Sequence, residues 1–278
     1  MTSPNYTYDP VTAIDEAKAT GQTAQIFHDI RTTMEIPIVT SIWRGLATMD
    51  DSLSKVWTAA KPIYTTGAPL NALNAMPNAL ELPVPKSLFS PQLQKLGIRP
   101  DDLQQIGNII NAYNKSNGMN LMALSALIKF GVPQKTFASP KPTHVPKEPL
   151  PELLQKEEIK PATWNLIRQV NALGSEFGIE ANVATLWRHL AHWPNVLTLF
   201  LQELTPLETS GNLREAIHSV LEYSKTNRIT LAKNQNNKDI KINIPAKALS
   251  TISTYVENPN YVARMVTIGY IVAKWIET

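Results

Sequence analysis

The sequence predicts an all-α protein of two tandem pseudo-symmetric helical repeats packed together, with the functional pocket between them. Three observations carry this reading: a self-match, helical apolar spacing and a proline-rich divide. Residues 42–67 match residues 186–211 without a gap. Trp43, Arg44, Leu46, Ala47, Leu53, Pro62, Thr65 and Gly67 recur as Trp187, Arg188, Leu190, Ala191, Leu197, Pro206, Thr209 and Gly211. A weaker echo pairs the segment from Ala112 to Gly118 and its following apolar helix with Thr254 to Asn260 and another apolar helix.

Within the first copy, Ile26, Ile30 and Met34 mark one helical stripe, and Ile42, Leu46, Leu53 and Trp57 mark the next. Leu121, Leu124, Ala126, Leu127 and Ile128 form a helix that is apolar nearly all round, as a buried helix requires. Prolines from Pro133 to Pro161 are incompatible with helix interior. The expected organisation is helical repeat 1 over 1–132, a connector over 133–162 and helical repeat 2 over 163–278. One strand signal stands out: Ile229-Thr230-Leu231 and residues 240–244 alternate with period two across a polar turn, predicting a small β-hairpin near 228–244. The apolar stretch from Tyr261 to Ile276, interrupted by Arg264 and Lys274, reads as a buried helix too short to span a bilayer.

Composition narrows the chemistry. The 278 residues carry a net charge of only +3, and their basic residues are scattered, so neither nucleic acid nor a membrane is an expected partner. With no cysteine, thiol nucleophiles, disulfides and Cys-ligated zinc are excluded. The first residues lack the basic and apolar regions of a signal peptide, which makes the cytoplasm the expected location.

Several runs resemble one family. Ile26-Phe27-His28-Asp29-Ile30-Arg31, Ile36-Pro37-Ile38-Val39 and Arg44-Gly45-Leu46-Ala47-Thr48 look like the opening of the group I 2-haloacid dehalogenases. Ala112-Tyr113-Asn114-Lys115-Ser116-Asn117 and the run from Leu190 to Leu197 are similar to later segments, in family order. The resemblance implies an all-α, internally duplicated, cofactor-independent and metal-free protein, commonly a homodimer, with a small-molecule substrate between its repeats. It also implies hydrolysis of a carbon–halogen bond by water that an aspartate activates. Counting back from Trp193-Pro194, the position of that aspartate holds Leu186, which cannot accept a proton. A threonine of the family is kept as Thr66, while the glutamate one turn later is Leu70. Asn117 is retained, and two aromatic pocket positions become Ile38 and Ser41. Losing a general base costs ~10²- to 10⁴-fold in rate, so efficient haloacid hydrolysis is not expected.

The remaining candidates have a functional and a plain reading each. His189, one turn after Leu186, is the substitute base, or else a satisfied core histidine. His189 and His192 lack a third ligand, so no metal site is expected. Arg44 and Arg188 either clamp a substrate carboxylate or pair with acids such as Asp29 and Glu203. Asn117 and its echo Asn258 are read in polar turns, as helix caps or as part of an anion or water site. Thr185, beside Leu186, joins the substrate-binding set, and Trp43, Trp187 and Trp193 are core or pocket wall. Three functions follow: a diverged enzyme for a small organic acid or hydrophobic substrate, a non-catalytic binder of the same fold, or a scaffold without a pocket.

Overall fold

A computed structural model describes residues 13–87, 93, 95–131, 149–232 and 243–277. The helices are α1 (Gly21–Met34), α2 (Ser41–Leu46), α3 (Ser52–Thr65), α4 (Ala68–Ala79), α5 (Pro100–Phe130) and α6 (Pro161–Ala172). They continue as α7 (Thr185–His189), α8 (Pro194–Thr209), α9 (Asn212–Ala232), α10 (Ala246–Glu257) and α11 (Val262–Ile276). The described residues contain no strand.

The longest helix, α5, starts where Pro100 at the first turn needs no N–H partner and Asp101 and Asp102 face the positive helix end. It stops at Gly131, whose φ of 81° a side chain would resist. From Gly118 to Leu127 every residue is buried, because α3, α4, α9, α10 and α11 pack around it. Burial all round requires its polar side chains to find partners inside the protein. Asn120 meets that demand on one side: its Oδ1 accepts from Trp43 Nε1 at 3.2 Å and Tyr64 Oη at 2.8 Å, and its Nδ2 donates to Thr40 Oγ1 at 3.0 Å. On another side Asn114 Nδ2 donates to the Gly269 carbonyl of α11 at 3.0 Å.

Helix boundaries in the two halves run in parallel. α2 and α7 begin at Ser41 and Thr185, and α3 and α8 both end at matched threonines, Thr65 and Thr209. Each of the latter pair carries a proline in its last turns, Pro62 or Pro206. Two residues beyond each end, Gly67 and Gly211 adopt φ of 72° and 84°, the left-handed conformation that turns the chain into the next helix.

Two expectations need correction. Ile229-Thr230-Leu231 continue α9 instead of forming a strand. The cause is tertiary: Leu213, Ile217, Val220, Leu221, Ser224, Arg228 and Leu231 are buried at helical spacing, so the core stripe overrides β-branched propensity. Of the other proposed strand, residues 240–242 lie outside the described residues, as does the connector over 133–148. Asn117, read in a turn, lies inside α5, and Asn258 follows α10 as its C-cap.

The α5–α11 contact leaves no room for a methyl group at Gly269, where an added Cβ would overlap Asn114 Oδ1. Gly269→Ala is therefore expected to destabilise the protein by about 1–3 kcal/mol through overpacking. A fall in the urea midpoint without a change in m-value checks this.

Candidate functional site

A cavity opens among α5, α7, α10 and α11. Tyr113 and Asn117 of α5 and Ser41 at the start of α2 contribute one side. Phe177, Ala181, Asn182, Ala184, Thr185 and Leu186 form a second. Tyr255 of α10 and Asn260, Tyr261, Val262, Arg264 and Met265 around the start of α11 complete it. A wider cleft lined by α4, α5 and α11 contains none of the residues expected to form a site.

Two amides shape the second and third walls. Asn171 donates to the carbonyls of Ala181 and Asn182 and accepts from Ala184 N at 3.0 Å. That clamp fixes the extended approach to α7, and so the point where Leu186 enters the wall. Asn260 accepts from Glu176 N at 2.7 Å and donates to Glu176 Oε2 at 3.2 Å, tying the 176–177 turn to the start of α11. Across the cavity Tyr255 Oη donates to Asn117 Oδ1 at 3.3 Å.

Of the residues singled out in the sequence, Ser41, Asn117, Thr185 and Leu186 line this cavity. The others stand elsewhere. Thr66 is a turn residue: its hydroxyl donates to Ile63 O at 2.7 Å and accepts from Ala68 N at 3.1 Å. Ile38 and Leu70 pack half-buried against the core. Trp43 and Trp187 are core, outside the cavity wall.

The two matched arginines have different fates. Arg188 donates through Nε and Nη2 to Leu154 O, at 3.0 and 2.7 Å, and through Nη2 to Gln155 Oε1. Burial, then the neighbouring Arg44 charge, pushes its pKa down. Arg44 Nε and Nη2 are buried with no hydrogen-bond partner among the described residues. The expected acids are engaged elsewhere, Asp29 with Trp57 and Lys61 and Glu203 with Ser87.

His189 is 2% exposed and sits behind Tyr113, off the cavity wall. Its Nε2 lies 2.5 Å from Pro151 O, which only accepts, so Nε2 carries the proton and Nδ1 accepts from Tyr113 Oη at 3.3 Å. Burial is the main reason its pKa falls to about 4, while burial pushes Tyr113 up to about 12. A proton moving from that phenol to that imidazole climbs a steep gradient. His192 Nε2 is likewise hydrogen-bonded to a backbone oxygen, that of Glu152, at 2.8 Å.

Tyr113, Tyr255 and Arg264 were not singled out as site residues. Arg264 left one trace in the sequence, as a cation interrupting the apolar stretch from Tyr261 to Ile276. The two tyrosines lie in the echoed segments around Ala112 and Thr254 but carried no site signal there, since aromatic residues at helical spacing read as core.

The architecture is that of solved 2-haloacid dehalogenases. The chain superposes on a D-2-haloacid dehalogenase mutant in complex with D-2-CPA with a TM-score of 0.67 and 12% identity, over 94% of this chain and 95% of the other. It superposes on a D-2-haloacid dehalogenase in complex with L-LA with a TM-score of 0.66 and 13% identity, over 95% and 96%. An (R)-2-haloacid dehalogenase of Rhizobium sp. (strain NHG3) is 25% identical over 214 residues, covering 71% of this chain and 79% of the relative. No protein-family model matches the chain. In sequence the chain is similar to a 2-haloacid dehalogenase, and it shares the fold of solved D-2-haloacid dehalogenases.

His189 makes a pH prediction. Its folded pKa of about 4 lies below the ordinary 6.5, so the unfolded chain binds the extra proton first as pH falls. Stability is full above pH ~6.5 and declines towards pH ~4, by at most about 3 kcal/mol from this group. Unfolding free energies for wild type and His189→Gln, compared at several pH values between 4 and 7, are expected to converge as pH falls.

Proposed function

We propose that the protein is a diverged haloacid-dehalogenase-like enzyme that takes a small organic acid or hydrophobic substrate into this cavity and hydrolyses 2-haloacids poorly. The observation that carries the reading is Leu186, 3% exposed, in the cavity wall at the position where the family resemblance expects the water-activating aspartate. No Asp or Glu is among the described residues lining the cavity. Direct displacement of halide by water needs a group to take the proton, and an aliphatic side chain supplies none. The apolar surface of Leu186, Val262 and Met265 instead favours holding the carbon skeleton of a ligand.

A second reading, a non-catalytic small-molecule-binding protein of the same fold, is favoured by the state of His189. Both its nitrogens are engaged and its basicity is low, so the nearest substitute base is ill-suited to water activation. In both readings the ligand is a small molecule, and nucleic acid, membrane, metal and cofactor play no part. Two helical repeats, 1–132 and 163–278, joined by the 133–162 connector, remain part of the proposal. The matched ends of α2 and α3 with α7 and α8 support it. A homodimeric, cytoplasmic state is a further part of the proposal, to be checked by light scattering and cell fractionation.

Chloride release from each enantiomer of 2-chloropropionate separates the outcomes. Wild type is expected to run ~10² or more below an efficient dehalogenase, and Leu186→Asp to gain chloride release over wild type by about the factor a general base contributes, ~10²-fold or more. Turnover of wild type at ordinary enzymatic rates would overturn the proposal. Wild type inert on haloacids but binding them, with gain in Leu186→Asp, would favour the second reading.

A further inference from the structure

We infer that Arg264 is the anion anchor of the cavity, holding the carboxylate of a small monoanionic ligand whose apolar body lies against Leu186 and Met265. This rests on the reading of the cavity as a site for small organic acids. The side chain is 3% exposed and lines the cavity. Its Nε donates to Asn260 O at 3.0 Å, and its Nη1 donates to the carbonyls of Asn171 and Leu173. Those contacts use the terminal carbonyls of α6 and leave Nη2 without a hydrogen-bond partner among the described residues. Arg264 is among the residues that line the cavity, so a ligand held there meets a guanidinium with donor capacity to spare.

Charge bookkeeping points the same way. No carboxylate lies within ion-pair distance of Arg264 among the described residues. The nearest acid it senses, Glu208, is bound to Gly174 N and Arg214. Burial lowers the pKa of the guanidinium only to about 10, so it stays charged at neutral pH. Helix-end carbonyls carry about half an elementary charge and offset part of that cation. A ligand carboxylate meeting Nη2 supplies the remainder, in a site where solvent screening is weak.

The specificity follows from the layout. Arg264 at one wall selects the anionic end, Leu186 and Met265 select a short apolar body, and the Tyr255–Asn117 pair meets a polar substituent. A neutral isostere loses the first interaction and keeps the other two. A dicarboxylate fits badly, because the described lining residues contain no second cation.

Propionate and propionamide, which differ in charge and hardly in shape, provide the test. Ligand-observed NMR titration of wild type is expected to give propionate at least ~10-fold tighter than propionamide, the ratio that one charge-assisted hydrogen bond supplies. In Arg264→Gln that ratio is expected to fall to about one, and Arg264→Lys to restore part of it, with circular dichroism monitoring the fold. In wild type the Arg264 Nε–Hε resonance should shift on adding propionate and stay still with propionamide, a readout that survives if Arg264→Gln does not fold. Equal binding of the two ligands, or an unchanged preference in folded Arg264→Gln, would overturn the inference and leave the cavity reading standing. Binding of neither ligand to wild type would remove both.

Discussion

Between Gly118 and Leu127 α5 has no solvent-facing side, and the demand that its buried amides find partners in neighbouring helices sets the arrangement of this protein. Asn120 fastens α2 and α3 by accepting from Trp43 and Tyr64 and donating to Thr40. Asn114 fastens α11 through the Gly269 carbonyl, at a separation that only glycine permits. Ser116, hydrogen-bonded to Thr40 at 3.0 Å, lies between them. The cavity is what remains beside Tyr113 and Asn117, the α5 residues left facing the N-terminal ends of α7 and α11. Its position is therefore a consequence of how α5 is satisfied elsewhere.

Helices were legible in the sequence wherever core spacing and chain punctuation agreed. The matched runs around Trp43 and Trp187 became helices with matched ends, since each carries the same proline and left-handed glycine signals. Asn117 was misread because Lys115-Ser116-Asn117-Gly118 has the composition of a turn. In the fold those residues continue a helix whose packing on both sides outweighs local propensity. The segment Ile229-Thr230-Leu231 failed for a related reason: it continues α9, whose buried stripe ends with Leu231.

Site residues divided along another line. Of the residues chosen for their place along the chain, Ser41, Asn117 and Leu186 came to the cavity, while Ile38, Thr66 and Leu70 did not. None of those proposed for their chemistry, Arg44, Arg188 and His189, lines it. Thr66 is absorbed by a turn, Arg188 by the connector and His189 by Pro151 and Tyr113. Arg264 shows the converse, since nothing local distinguishes a helical cation that caps another helix from one that also faces a ligand. Only the count of donors against acceptors around its guanidinium does so.

The described part of the connector is gripped in an unusual manner. His189, Arg188 and His192 each seize a main-chain oxygen of it, those of Pro151, Leu154 and Glu152 respectively, and Arg188 also holds the Gln155 side chain. Main-chain oxygens are the same whatever side chain follows, so at Pro151, Glu152 and Leu154 this grip depends on the path of the strap and not on its side chains. It depends on length too, because one inserted residue between 151 and 154 would carry a carbonyl out of reach and loosen the floor beneath Tyr113.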